Sequence, residues 1–390
     1  MKLIITSVDA LFNLKTGEYF PDIKESLQHF KKLSEDNEVV IVSIDKDKLA
    51  LIPEEDGFHT LFLGRPYMRK SPDFIDWVVD KLGIKYNDIF ILGAKDDDFI
   101  AAANAKLILL TAVYARVNNP DNRIYTEGYG IAIMTPARLN HFFDHFLNID
   151  EPWFYKLDVD EQTTLYGLTD AMTKRQEDDD VRKICEKFKE YLKDGDDTNR
   201  NPFLIYALVS VYRIFKDVQD INYWGYYPSS STKDNDTLKT FKEILRKSFK
   251  SNKTDDDILV RIKDSPQRKK MSEDSRIADG CDSQFDSITL NPWFRGKIEG
   301  KNVCIIDDFT NHGSSCEAVR HLLEKAGVAR IIFISLGKFR FDYKKYDYTL
   351  TGDVYKSYTY TRKAGFTTLR STPNYESSQE LLESLKGVIE

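Results

Sequence analysis

The stretch whose reading decides the fold is Val303-Cys304-Ile305-Ile306-Asp307-Asp308-Phe309-Thr310-Asn311-His312-Gly313-Ser314-Ser315. Its four opening apolar residues predict a buried strand. Two carboxylates stand at the carboxyl end of that strand. A short loop with one glycine and several hydroxyls follows, and Cys316 to Leu323 then carries a helical pattern. Strand, phosphate-sized loop and helix in this order predict an α/β sheet, whose ligands sit just outside the carboxyl ends of the strands. The unpaired N–H groups and the dipole of a helix amino terminus favour a phosphate. Asp307 and Asp308 suit the two hydroxyls of a ribose, directly or through Mg²⁺.

Around this stretch the pattern stays α/β. Tyr223 to Tyr227 reads as a strand, followed by a loop at Pro228-Ser229-Ser230-Ser231. Thr237 to Phe249 reads as a helix, Ile258 to Ile262 and Phe285 to Leu290 as strands, and Ala329 to Leu336 as the strand after the opening helix. The last ~50 residues carry alternating tyrosines that predict further strands. Upstream, 135–217 is expected to be a helical connector, because Pro136 to Phe146, Asp180 to Leu192 and Pro202 to Phe215 have i, i+3, i+4 apolar spacing. Residues 1–134 alternate again: strands at Lys2 to Val8, Glu38 to Ser43, Ile89 to Leu92 and Leu107 to Leu110, with helices between. The helix from Pro72 to Leu82 has Ser71 as its N-cap and proline in its first turn. The expected architecture is α/β, with two Rossmann-like doubly wound parallel-sheet domains, 1–134 and 218–390, joined by the connector.

Composition narrows the class. A chain of 390 residues accommodates two domains. A net charge of -7 argues against a general nucleic-acid binder but leaves room for a local basic pocket. The four cysteines, Cys185, Cys281, Cys304 and Cys316, form no C-x-x-C pair and read as reduced thiols of a cytoplasmic protein. No apolar run approaches the ~20 residues that span a bilayer, and no signal peptide is visible. The acidic runs Glu177 to Asp180 and Asp255 to Asp257 read as solvated element starts, since the glycine and glutamate of a calcium-binding loop are missing.

The opening stretch resembles the phosphoribosyl pyrophosphate (PRPP) motif of type I phosphoribosyltransferases, an apolar strand, two acids and a threonine- and glycine-containing loop. Asp307 and Asp308 match the acids, and Asn311, His312, Gly313, Ser314 and Ser315 occupy the loop. Asn311 and His312 stand where the family has threonines, and Ser315 replaces the last one. The segment Arg261 to Arg276, Phe285 and Gly300-Lys301 are similar to the ComF-type branch of that family, so the likeness covers roughly 220 to 340. The resemblance implies a PRPP-dependent transferase with Mg²⁺, in which Asp307 and Asp308 hold the ribose and residues 311–315 cradle the 5′-phosphate. It also implies a pyrophosphate loop at Ser229 and Ser230, with Arg261, Lys263, Arg268 and Arg276 supplying cations.

The first ~115 residues resemble the haloacid dehalogenase (HAD) superfamily in degenerate form. Ser7 falls at the nucleophile position and Asp9 at the acid–base position of the first motif; Ser43 matches the second motif and Lys70 the third. In the fourth, Gly93-Ala94-Lys95-Asp96-Asp97-Asp98, alanine replaces the first acid and Asp98 remains. Phosphoryl transfer in this superfamily uses a carboxylate nucleophile and a metal ion, so the resemblance implies a domain without phosphatase activity. The leading expectation is a phosphoribosyltransferase of nucleotide or modified-nucleoside metabolism, by analogy from a bacterial stress or defence system. A non-enzymatic sensor or scaffold for a phosphoribosyl ligand and an active phosphatase are the alternatives. The expected partner is PRPP or a phosphoribosyl ligand, with neither nucleic acid nor membrane. The acceptor base, protein partners and a homo-oligomer are left open.

Overall fold

The computed structural model describes residues 1–147, 153–173, 178–194, 200–230, 236–265, 271–376 and 385. The fold is α/β, and the chain forms two compact units. The first holds residues 1–149 with 211–215 and 247–250; the second holds 150–210, 216–246 and 251–390.

The first unit is built on strands β1 (Leu3–Ser7), β2 (Glu38–Ser43), β3 (His59–Phe62), β4 (Ile89–Gly93), β5 (Ile108–Ala112) and β6 (Ile131–Ile133). They form one parallel sheet in the order β3-β2-β1-β4-β5-β6. Every residue of β1, β4 and β5 is buried, which is why these strands read as unbroken apolar runs. Successive side chains point to opposite faces. Leu3, Ile5, Ile89 and Ile91 pack with Phe74, Ile75 and Val78 of the helix Pro72–Leu82 and with Ala101 and Ala102 of the helix Asp96–Ala105. Phe90 meets Phe142 at 6.0 Å between ring centroids, and Phe143 meets Phe30 at 5.0 Å, which ties the helices Ala137–Phe146 and Ile23–Lys32 to the other face. The strand order reverses between β1 and β4, the position at which open α/β sheets place their ligands.

The second unit contains β7 (Tyr155–Asp158), β8 (Thr163–Asp170), β9 (Tyr223–Tyr226), β10 (Asn302–Thr310) and β11 (Arg330–Lys338). The sheet order is β9-β10-β11-β8-β7, with β7 antiparallel and the rest parallel. Val303, Ile305, Ile331, Phe333 and Leu165 pack on Ala318, Val319, Leu322 and Leu323 of the helix Ser314–Lys325, together with Phe285, Tyr343, Tyr346 and Tyr348. The tyrosine-rich tail forms two antiparallel ribbons, Tyr343–Lys345 with Thr367–Leu369 and Tyr348–Asp353 with Ser357–Arg362. Its tyrosines fill the core rather than a binding face: Tyr343 and Tyr346 are completely buried.

Several elements differ from expectation, and in the first unit β3 and β6 are strands that the apolar pattern did not give. The segment 135–217 is not a helical connector throughout: β7 and β8 lie inside it, and β8 pairs with β11 along seven registered residue pairs. β8 is a threonine-rich run interrupted by Gly167, a sequence without strict alternation. The glycine is required by close approach, since a Cβ there would lie 2.5 Å from Cβ of Lys338. Between Phe285 and Leu290 only Ile288–Leu290 is a strand; Asp282–Phe285 is a helical turn. Finally, β10 runs on through both acids to Thr310, which leaves Asn311–Gly313 as the whole loop.

Candidate functional site

A cleft of about 460 Å³ opens in the second unit at the carboxyl ends of β8, β10 and β11. That size suits a small metabolite. From β10 and its loop come Asp307, Phe309, Thr310, Asn311 and His312; from the helix start come Gly313, Ser314, Ser315 and Cys316. Met172 follows β8, Phe339 and Phe341 follow β11, and Arg276 comes from the helix Glu273–Asp279.

The loop is built around Gly313, which has φ +88 and caps the helix. Its carbonyl accepts from Glu317 N at 2.8 Å. A Cβ at this position would lie 2.1 Å from Cε2 of Tyr343, so a glycine is required both by the left-handed backbone and by the ring against it. Tyr343 is pinned in turn: its hydroxyl donates to Glu317 Oε1 at 2.8 Å. Glu317 is fully buried and also accepts from Arg320 Nε at 3.0 Å and from Tyr346 N at 2.9 Å. This network fixes the helix beneath the loop.

Lys338 holds the opposite wall. Its side chain is buried, and Nζ donates to the carbonyls of Asn311 at 2.9 Å, Phe339 at 2.5 Å and Phe341 at 2.7 Å. Burial pulls its pKa down to about 8, against the opposing pull of Cys316, Asp342 and Asp170. Sequence reasoning missed Lys338, Phe339 and Phe341; the alternation Lys338-Phe339-Arg340-Phe341 at a strand end was the available signal. Met172 carried none, because β8 itself was unexpected.

Asp307 is 8 % exposed on the cleft, and its Oδ1 accepts from Asp308 N at 2.9 Å. Asp308 does not line the cleft; its Oδ1 accepts from Phe309 N at 2.6 Å. The five loop residues 311–315 and Arg276 are therefore brought together with Asp307. The other expected residues are not. Arg261 spends its guanidinium on the carbonyls of Ser229 (2.9 Å) and Pro228 (3.2 Å) and on Ser287 Oγ (2.6 Å). Its role is to brace the loop after β9. Ser230 accepts from Ser265 N at 2.8 Å. Lys263 is exposed, 3.9 Å from Asp286. Arg268 lies outside the described residues. Tyr227 links the brace to the acids: burial lifts its phenol pKa well above the ordinary value, Arg261 opposes the rise and Asp307 adds to it.

Two polar atoms of the loop, Asn311 Oδ1 and His312 Nε2, are buried with no hydrogen-bond partner. Burial pulls the His312 pKa below its ordinary value, although the Asp342 carbonyl and Glu273 pull the other way. Among the described residues no group of three His, Cys, Asp or Glu side chains is placed to hold a metal ion.

Beyond the carboxyl ends of β1 and β4 in the first unit the acids are already paired. Asp9 is 3 % exposed, 2.7 Å from Lys95 Nζ and 3.1 Å from Lys48 Nζ. Burial raises its pKa, but the two ammonium groups outweigh that and hold it below the usual carboxylate range. Asp98 accepts from Ala94 N at 2.8 Å and Lys95 N at 3.0 Å, and it meets Arg69 at 2.7 Å. The cation that reaches Asp98 is thus Arg69. Lys70, the basic residue singled out in the sequence, is exposed and 3.9 Å from Asp97. Ser43 Oγ accepts from Asp45 N at 3.0 Å, and Ser7 Oγ is buried without a partner.

The four cysteines are free and buried. Among the described residues no helix is long and apolar enough to cross a membrane. Neither a protein-family model nor a curated protein sequence matches the chain.

Proposed function

We propose that the second unit is a type I phosphoribosyltransferase domain of the ComF kind, which binds PRPP in the cleft of Asp307 and residues 311–315 and transfers its phosphoribosyl group to a nucleobase-like acceptor. The observation that carries this reading is the convergence of a strand-end acid, a glycine-turned loop, a helix amino terminus and Arg276 on one metabolite-sized cleft. The amides of Gly313 to Ser315 with the hydroxyls of Ser314 and Ser315 hold the 5′-phosphate. Asp307 takes the ribose hydroxyls, with Asp308 beside it, and Arg276 faces the pyrophosphate. Asp307, with Asp308 beside it, would hold a Mg²⁺ brought in with the diphosphate, and the ion would neutralise charge on the leaving group. Positive charge builds on the sugar ring in the transition state, so positioning and fixed electrostatics do most of the work. The setting is cytoplasmic, without nucleic acid or membrane.

The first unit serves this reading as a Rossmann-like, HAD-like domain that does not turn over phosphate esters. Asp9 is held by two lysines, and Ser7 has no base beside it. Residues Asn311 and His312 favour a second reading, in which the cleft captures a phosphoribosyl ligand without transferring it. Calorimetry with PRPP and Mg²⁺ tests the common core: wild type binds, and the double variant Asp307→Ala/Asp308→Ala does not. Pyrophosphate release with candidate bases then separates transferase from sensor. Unaltered PRPP affinity in the double variant overturns both readings.

A further inference from the structure

His312 presents a buried, unpartnered ring nitrogen in the cleft. The ring is 6 % exposed and lines the cleft beside the amino terminus of the helix Ser314–Lys325, with Phe341 4.9 Å away. Its Nδ1 lies 3.2 Å from the carbonyl oxygen of Asp342. A carbonyl only accepts, so Nδ1 carries a hydrogen and the neutral ring presents a lone pair at Nε2. That atom is buried and unpartnered, and the nearest acid, Glu273 Oε1, stands 3.3 Å off without a hydrogen bond. An ionised carboxylate also only accepts, so two acceptors confront one another.

The charges around the ring come from every side. Glu273 is on the helix Glu273–Asp279, Lys338 ends β11, and Asp342 and Lys344 belong to the segment after it. Burial and the two lysines disfavour the imidazolium; the Asp342 carbonyl and Glu273 favour it, and the balance falls to the neutral form. A phosphate seated on the helix start brings up to two further negative charges next to Nε2. An opposite charge within ~4–6 Å moves a pKa by roughly 1–3 units toward the charged form.

We infer that His312 takes up one proton from solvent as a phosphate monoester binds, and that the resulting imidazolium donates Nε2–H to a phosphate oxygen. The inference rests on the phosphoribosyl reading of the cleft and adds to it a ligand class and a linkage. The site selects a dianionic phosphate monoester, and capture is coupled to protonation. The usual threonines of such a loop donate without titrating, whereas His312 donates only after gaining the proton.

Ribose 5-phosphate and the full chain test this by calorimetry in buffers of different ionisation enthalpy. At about pH 8 the ester is already dianionic, its second pKa being about 6, so uptake reports the protein. The expected result is net proton uptake by wild type, with affinity falling by up to roughly tenfold per pH unit between the free and the bound pKa of His312 and levelling above the latter. His312→Gln and His312→Asn should bind more weakly with no uptake and a flat pH profile. In wild type the His312 Cε1–H resonance, assigned by its loss in the two variants, should titrate at higher pH once the ester is bound. Binding without uptake, or equal uptake in wild type and variants, overturns the inference and leaves the phosphoribosyl reading standing. Absence of ribose 5-phosphate and PRPP binding in wild type overturns both.

Discussion

Replacing Gly313 by alanine puts the geometry of the loop to a quantitative test. The backbone has φ +88, where a Cβ costs ~1–2 kcal/mol. The new methyl would lie 2.1, 2.4 and 2.7 Å from Cε2, Cδ2 and Cζ of Tyr343, a fully buried ring whose hydroxyl is fixed to Glu317. A ring pinned at both ends relieves the overlap only by shifting the ribbon or the loop, and overpacking of this kind costs ~1–3 kcal/mol. The expected loss is about 2–5 kcal/mol. Gly296 is the control: φ is +68, but nothing lies within 4 Å of its Cβ position, so alanine there should cost only the backbone share, ~1–2 kcal/mol. Urea unfolding followed by tryptophan fluorescence suits the measurement, because three of the 4 tryptophans, Trp153, Trp224 and Trp293, belong to the second unit. A Gly313→Ala variant no less stable than Gly296→Ala would falsify the argument that Tyr343 closes the loop from behind.

Other consequences are as direct. Glu317→Ala leaves the buried Arg320 guanidinium without its main carboxylate and should cost ~3–5 kcal/mol in the same assay; a loss below ~1 kcal/mol would show the network to be dispensable. Lys338→Met removes the donor from three carbonyls of the cleft wall, for a loss of ~3 kcal/mol or more, and should weaken ribose 5-phosphate binding; intact binding argues against a wall set by Lys338. The depressed pKa of Asp9 means its ion pairs stabilise the fold fully above the unfolded value of ~3.9 and are lost as pH falls through the lower folded value. Asp9→Asn should therefore flatten the acid limb of stability read by Trp77 fluorescence, and a limb that tracks wild type refutes the pairing.

Of the parallel strands, β1, β2, β4, β5, β9, β10 and β11 were legible because burial makes them largely apolar runs, whereas β3 and β6, which are short and partly exposed, were not. The strand at Ile89, the helix start at Ser71-Pro72 and the acid–loop–helix sequence at Asp307 all follow from that rule and from helix-end chemistry. β8 was not legible, because its parallel partner β11 lies over 160 residues away in sequence and its glycine is dictated by Lys338, which no local pattern reports. Site residues followed the same division. Loop residues 311–315 were marked by their own sequence, while Arg261 was read as a pyrophosphate cation from its charge and from the family likeness of its segment. The structure sets its guanidinium on two backbone carbonyls, a use that composition does not distinguish from anion binding.

The two strand-end clusters differ in how their acids and loop acceptors are met, although Ser7 Oγ in the first is also buried without a partner. In the first unit each acid has a cation at ion-pair distance, so Asp9 and Asp98 are satisfied by the protein itself. In the second, Asn311 Oδ1 and His312 Nε2 are buried acceptors without donors. An unsatisfied buried group costs ~1–3 kcal/mol, so whatever brings a donor or a proton to this loop gains that energy as affinity. If His312 must acquire a proton to donate to a bound phosphate monoester, as inferred above, the affinity of the loop should fall with rising pH, whereas a loop that binds through amides and hydroxyls alone should show no such slope. The slope of affinity against pH is therefore the measurement that tests the role of these two unpaired acceptors.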